Sequence, residues 1–215
     1  MAEVEIVCMR DLVYTCVFGN YDWVLPPIAS KRSTHHILVT DRDGPAPAGW
    51  ERLIVDPTDL GGSTAANRYW KMLGHVEIPG FERILYVDAN IRLLGDSSAF
   101  LDLALPPGAA MGLFRHPLRK CVAEEVEACI SSDKILDPVR LEEELNTYRR
   151  MGFPDDVGLS ENGIVARRAG AKGLDAAMCD WWGLYHRFAN RDQFSLPVVR
   201  WRHNLPVHWI DWSFR

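Results

Sequence analysis

RILYVDAN, residues 83–90, carries four apolar side chains in a row into an aspartate and, two positions on, an asparagine. An apolar run this short and this continuous reads as a strand buried on both faces, the kind found inside a parallel sheet. Its end sets a carboxylate and an amide, Asp88 and Asn90, at the tip. The same shape recurs upstream in HHILVTD (35–41) and ERLIVD (51–56), each an apolar run closed by an aspartate, with the loop RDGPAPAG (42–49) between them. LVYTCVFG (12–19), rich in β-branched and aromatic residues and followed by Asn20, is a further strand.

Helical periods alternate with these strands. From Ser63 to His75 the pattern turns helical, with Ala65, Tyr69, Met72 and Leu73 near one face and Arg68 and Lys71 three apart beside it. VAEEVEACI (122–130) and PVRLEEELNTYRRMG (138–152) read as amphipathic helices, and AGAKGLDAAMCDWWGLYHRF (169–188) as a helical pattern weakened by glycines. AAMGLFRH (109–116), ENGIVARR (161–168) and PVHWI (206–210) read as strands, with RDQFSLPVVRW (191–201) a short helix or turn before the last. Strand–helix alternation predicts a mostly parallel sheet with helices on both faces, a three-layer α/β/α arrangement in one domain over residues 1–215. Ligands of such sheets collect beyond the carboxyl ends of the strands. Asp41, Asp56 and Asp88 all stand there, although aspartate is also a common turn residue.

The totals bound the function. A formal charge of −5 argues against a nucleic-acid binder. Five scattered cysteines, Cys8, Cys16, Cys121, Cys129 and Cys179, with no CxxC pair, fit reduced thiols in a cytoplasm rather than a disulfide framework. MAEVEIVCMR at the start has no long apolar run and reads as no signal peptide, and no window offers a transmembrane span. The expectation is a cytoplasmic protein without an anchor, able to work at a membrane surface.

Several groups could carry chemistry. Asp88 and Asn90, at i and i+2 of a strand tip, could hold a hard divalent cation through carboxylate and amide oxygens; a turn cap is the plainer alternative. Arg68 and Lys71 suit phosphate, or else a solvated helix face. FRHPLRKC (114–121) gathers His116 and Arg119 with two more cations, which could grip a diphosphate or an anionic acceptor. Glu161 and Asn162 precede an apolar run, where a carboxylate could act as a base or hold a sugar hydroxyl. DWWGLYHRFANRDQFSL brings Trp182, Arg191, Asp192 and Gln193, and indoles both stack on sugars and fill cores. His208 beside apolar residues reads most simply as a core histidine.

Taken in order, YTCVFGNYD, the TD closing the second strand, NRYWKMLGH, ILYVDANI, FRHPLRKCVAEE, LSENGIVARR, DWWGLYHRFANRDQFSLP and PVHWI resemble the nucleotide-sugar-dependent glycosyltransferases of the GT-A fold. More narrowly they resemble the TOD/MUCI-type glycosyltransferase-like family of bacteria and plants, across residues 14–210. The resemblance implies a GT-A-like fold, a nucleotide-sugar donor, and a carbohydrate or glycoconjugate acceptor. It places Thr15, Phe18, Asp22 and Asp41 at the nucleoside, with Arg68 and Lys71 at the diphosphate. Asp88 and Asn90 stand where GT-A enzymes carry a D-x-D metal motif, with His208 as third ligand to Mn2+ or Mg2+. Asn90 departs from that motif and leaves one carboxylate fewer for the metal. Arg191, Asp192 and Gln193 are similar to the segment beside the reacting sugar carbon, which makes Asp192 the first catalytic candidate and Glu161 the second. His116, Arg119, Asn162 and Trp182 complete the expected donor site. Rival readings are a hydrolase on the same site and a non-catalytic nucleotide- or sugar-binding module, kept open by Asn90. A nucleotidyltransferase would carry a glycine-rich phosphate loop where FGNYDW stands.

Overall fold

The computed structural model describes residues 10–20, 22–27, 34–131, 137–188 and 190–214. Cys8 in the N-terminal stretch, Tyr21 of YTCVFGNYD and Ala189 of the Trp-rich segment lie outside them. RILYV forms strand β4 (Arg83–Val87), with all five residues buried, as an apolar run flanked by strands on both edges requires. β4 pairs in parallel with β1 (Asp11–Val17) on one side. β2 (Thr34–Thr40) and β3 (Glu51–Ile54) extend that side, also in parallel. On the other side β4 pairs with β6 (Ser160–Arg168), which runs antiparallel to it and to β5 (Met111–Arg115). β7 (Val207–Ile210) closes the edge parallel to β5, and the seven-stranded order is β3-β2-β1-β4-β6-β5-β7. The sheet is thus mixed and mostly parallel, with one reversed strand.

That reversal positions the site. Because β6 runs backwards, its first residues sit where β4 ends: Val87 faces Ile164, so Ser160–Gly163 border the Asp88 tip. The opposite end of β4 is locked by charge. Arg83, 2% exposed, donates through Nε and Nη2 to the two carboxylate oxygens of Asp11 at 2.8 and 2.7 Å and also meets Asp102. Such a two-pronged bond between paired residues fixes the β1–β4 register.

Alternate side chains of β1 serve two cores. Leu12, Tyr14 and Cys16 pack with helices α1 (Ser63–Glu77), α5 (Leu174–Arg187) and α6 (Asp192–Arg202) through Ala66, Trp70, Trp181 and Phe194. That core also takes in α3 (Val122–Ile130) and α4 (Pro138–Arg150) through Val126 and Leu141. Val13 and Val17 meet Leu101 and Ala104 of α2 (Ser97–Ala104) on the other face. The sequence reading assigns no helix to 97–104, yet Asp96 caps one there by accepting from Ser98 N at 3.0 Å. On α1 the expected Met72 and Leu73 are buried, but Ala66 and Trp70 take the place of Ala65 and Tyr69, and the buried set also includes Lys71, Gly74 and His75. The glycines of 169–188 fall mainly ahead of α5: Gly170 and Gly173 have φ of 70° and 79°, and Gly173 is the N-cap.

α1 lies unusually close to β1. A Cβ on Gly74 would come within 2.6–2.9 Å of the Tyr14 ring, so only glycine fits. The Tyr14 hydroxyl reaches the carbonyls of Trp70 and Lys71 at 3.0 and 3.2 Å, and Arg167 of β6 donates to that hydroxyl and to the Lys71 carbonyl at 3.2 and 2.8 Å. α1 is therefore pinned to the sheet at Lys71. Among the described residues no helix is long and apolar enough to cross a membrane. The four described cysteines are free, with Cys16 and Cys129 buried.

Candidate functional site

Asp88 begins a turn at the tip of β4. Its N–H donates to the Gly163 carbonyl at 2.7 Å, and its carbonyl accepts from Ile91 N at 2.9 Å. The backbone makes this turn by itself, so the carboxylate is not spent on capping it. Asp88 Oδ1 accepts instead from the Tyr86 hydroxyl at 2.7 Å and from Lys71 Nζ at 3.4 Å. Tyr86 shares a strand face with Asp88 at i and i+2, and burial followed by the Asp88 charge raises its pKa well above the ordinary value, which keeps it a donor.

Lys71 is the hinge of the site. It is 3% exposed, and its ammonium also meets Asp192 Oδ2 at 2.9 Å, so one cation ties the β4 tip to the first turn of α6. Sequence allowed a solvated helix face here; the clamp on the Lys71 carbonyl places the side chain inside. Asp192 is 6% exposed, and its carbonyl accepts from the Trp181 indole at 3.0 Å. Burial alone would raise its pKa. The Lys71 and Arg68 charges and the Lys71 hydrogen bond outweigh that and hold the carboxyl well below the usual range. Burial likewise opposes the Arg68 charge, but Asp192 and Asp88 more than compensate and raise its pKa. Arg68 donates to Asn67 Oδ1 at 2.8 Å, and Asn67 in turn donates to the Cys16 carbonyl at 2.8 Å, joining the start of α1 to the end of β1.

Two adjoining cavities meet here. One, about 530 Å³, is lined by Arg68, Lys71, Asp88, Glu161, Arg191 and Asp192 among others, with Asn90, Asn162, Gln193, Arg92 and Phe214 on its walls. The other, about 410 Å³, is more apolar and is bounded by Val17, Phe18, Asp22, Asn67 and Tyr86. Arg68, Asp88 and Asn90 belong to both. Asn162 is 3% exposed; its Oδ1 accepts from Ser160 Oγ at 2.8 Å, while among the described residues its Nδ2 has no hydrogen-bond partner beside the larger cavity. Gly163 leaves room there, since a Cβ would come within 2.9 Å of Ile91 and 3.3 Å of Phe214.

Other expected site residues do different work. Thr15 is fully buried within β1, away from both cavity linings, because the strand end that reaches the cleft is Cys16–Phe18. Asp41 accepts from Gly19 N through both oxygens at 2.9 and 3.0 Å and so braces the loop that carries Phe18. Asp56 accepts from Thr58 N at 2.9 Å and its hydroxyl at 2.6 Å, which is turn work. His116 and Arg119 gather on Glu125 of α3, which is 1% exposed; Arg119 bonds Glu125 Oε2 and Arg191 bonds Oε1 at 2.8 Å. They stand behind Arg191 rather than in the cleft. Trp182 packs on Tyr69 and His186 and stacks with Tyr185 at 5.8 Å on the α1–α5 surface. Glu125, Asn67, Arg92 and Phe214 escaped the sequence reading. Asn67 sits beside Arg68 in NRYWK and could have been suspected; Phe214 arrives from the far end of the chain with no local signal.

The three expected metal ligands do not all come together. His208 on β7 faces Gly112 of β5, with β5 and β6 between it and β4, a lateral distance of roughly 14 Å at ordinary strand spacing. Register also sets it short of the tip, since Gly112 faces Ala166 and Ala166 faces Leu85. That leaves one carboxylate and one amide, and the carboxylate already holds the Lys71 ammonium. Among the described residues no group of three or more His, Cys, Asp or Glu could hold a metal ion. Of the three expected ligands, Asp88 and Asn90 share the tip, with Asp192 and Glu161 lining the same cavity.

Comparison with known proteins agrees with the fold. The TOD1/MUCI70 glycosyltransferase-like domain matches residues 50–212. The apo structure of WbbM, a bifunctional glycosyltransferase, superposes with a TM-score of 0.54 at 11% identity, over 93% of this chain and 38% of that one. The apo form of mouse xyloside xylosyltransferase 1 gives 0.48 at 11% identity, over 95% and 85%. The chain thus spans about two fifths of the WbbM structure and has a GT-A-like fold. No curated protein matches the sequence.

Proposed function

The chain belongs to the TOD1/MUCI70 glycosyltransferase-like family, and from that premise we propose that its cleft binds a nucleotide-sugar donor and passes the sugar to a hydroxyl of a carbohydrate or glycoconjugate. The observation that carries the reading is the Lys71 bridge between Asp88 and Asp192, set where the two cavities share Arg68, Asp88 and Asn90. The more apolar cavity suits a base and ribose, with Phe18 and Val17 as floor and Asp22 and Asn67 as polar partners. The polar one suits a diphosphate and sugar.

In the proposed step the bond between the anomeric carbon and the diphosphate oxygen breaks, and its electron pair leaves with the diphosphate. The acceptor hydroxyl oxygen forms the new bond, and its proton passes to a base. Arg68 and Lys71 stabilise the charge that grows on the leaving group. Asp192, held ionised by those cations, stands beside the carbon as positive charge grows there. Glu161, 5% exposed on the β6 wall, is the candidate base.

The test begins with thermal shift against nucleoside diphosphates and nucleotide sugars, since a ligand of the folded state must raise the melting point. Diphosphate release with candidate acceptors then measures turnover. Asp192→Asn should keep donor binding and lose about 10²-fold or more in turnover. No shift with any nucleotide, or full turnover in Asp192→Asn, would overturn the proposal. Free sugar released to water without an acceptor would assign a hydrolase.

A further inference from the structure

We infer that Lys71 does, within the chain, the work a divalent cation would do at this strand tip, so that donor diphosphate binding is independent of metal. The inference rests on the proposed donor site. Three observations carry it. The ammonium lies 2.9 Å from Asp192 Oδ2 and 3.4 Å from Asp88 Oδ1, where an ion joining those two carboxylates would sit. A dication on Asp88 would lie against that ammonium and be repelled by it.

The second observation is that the cation is built in rather than swung in. Lys71 is 3% exposed, its Nζ lies 5.4 Å over the Tyr86 ring, and its carbonyl is clamped by Arg167 and Tyr14. Arg167 is itself fully buried, and the close approach at Gly74 lets α1 reach this depth. An ammonium has three N–H donors; two face the carboxylates and one remains for a phosphoryl oxygen.

The third is the charge of the larger cavity. Arg68, Lys71, Arg92 and Arg191 face Asp88, Glu161 and Asp192 on its walls, and Arg191 is held from behind by the buried Glu125, so the carboxylates are matched by fixed side-chain cations. Positive charge is fixed in place before any ion arrives, and Arg68 stands at the junction with the nucleoside cavity, where a diphosphate would lie.

The experiment is isothermal titration of the wild-type protein with UDP, GDP, ADP, CDP and dTDP, each in excess EDTA and in excess Mn2+. The expected result is that the best-bound nucleoside diphosphate has the same affinity in both, within about threefold. A larger loss in EDTA would overturn the inference and leave the donor site standing. Binding of none of them in either condition would overturn the donor site, and the inference with it. Lys71→Met should weaken binding in EDTA by about tenfold or more. Because that variant strands a buried carboxylate, the Lys71→Met/Asp192→Asn double variant supplies a folded comparison. Unchanged binding in the double variant would also overturn the inference.

Discussion

Lys71→Met should be among the costliest single changes in the molecule. The side chain is 3% exposed and pairs with Asp192, 6% exposed, at 2.9 Å. Removing one partner of a buried pair leaves the other charge uncompensated, at about 3–5 kcal/mol. Two features set the lower end. Arg68 stays near Asp192, and Asp88, about a third exposed, is screened by water, so its arm adds only about 0–1 kcal/mol. A loss of about 3 kcal/mol in a chain of this length lowers the melting temperature by roughly 6–12 °C. Urea unfolding followed by circular dichroism and Trp fluorescence measures it, with an unchanged m-value certifying a true stability change. Asp192→Asn in the Lys71→Met background removes the stranded charge and should restore about 2 kcal/mol, a coupling typical of residues in contact. A single variant that costs under about 1 kcal/mol, or a double variant with no coupling, would refute the buried bridge.

Three further outcomes can be checked independently. His75 is neutral in the fold, its pKa lowered from 6.5 to about 3 by burial and then by Arg167; Asp175 touches it at 3.3 Å but is two-thirds exposed and screened. The unfolded chain therefore takes up the proton first as pH falls through 6.5, and stability drops by about 2 kcal/mol between roughly pH 7 and pH 5. His75→Gln should flatten that part of the stability–pH curve, and an unaltered slope would count against the assignment. Gly74→Ala should destabilise by about 1–3 kcal/mol in denaturant titration, because its Cβ would meet the Tyr14 ring at 2.6 Å; a neutral result would mean that α1 sits farther out. Asp41→Ala removes the carboxylate that holds Gly19 N and should cost about 1–2 kcal/mol. The same variant should weaken nucleoside diphosphate binding through Phe18, and unaltered affinity would separate that loop from the site.

Much of the framework was legible in short stretches. ILYV is an unbroken apolar run, so it reads as an interior strand whatever its neighbours are, while the buried Arg83 ahead of it is explained only by its partner Asp11. VAEEVEACI is a helix over the residues its period selects, 122–130, since local spacing decides which face is apolar. Asp88, Glu161, Arg191, Asp192 and Gln193 could be nominated because they stand at the ends of such elements. What each of them touches could not, as Thr15, His116 and Arg119 illustrate. A strand residue reaches solvent or not according to which neighbour ends first, and Arg119 is drawn away from the cleft by the buried Glu125.

Most of the elements, their alternation and the family resemblance were legible in the sequence alone, α2 excepted, because propensity, periodicity and capping are properties of neighbouring residues. Only the tertiary structure decided that β6 runs backwards, which delivers Glu161 and Asn162 to the tip of β4. It also decided that His208 stands three strands away and that Lys71 turns inward between two carboxylates. Strand direction, register and the pairing of buried charges are set by residues tens to more than a hundred positions apart, and no local window carries that information.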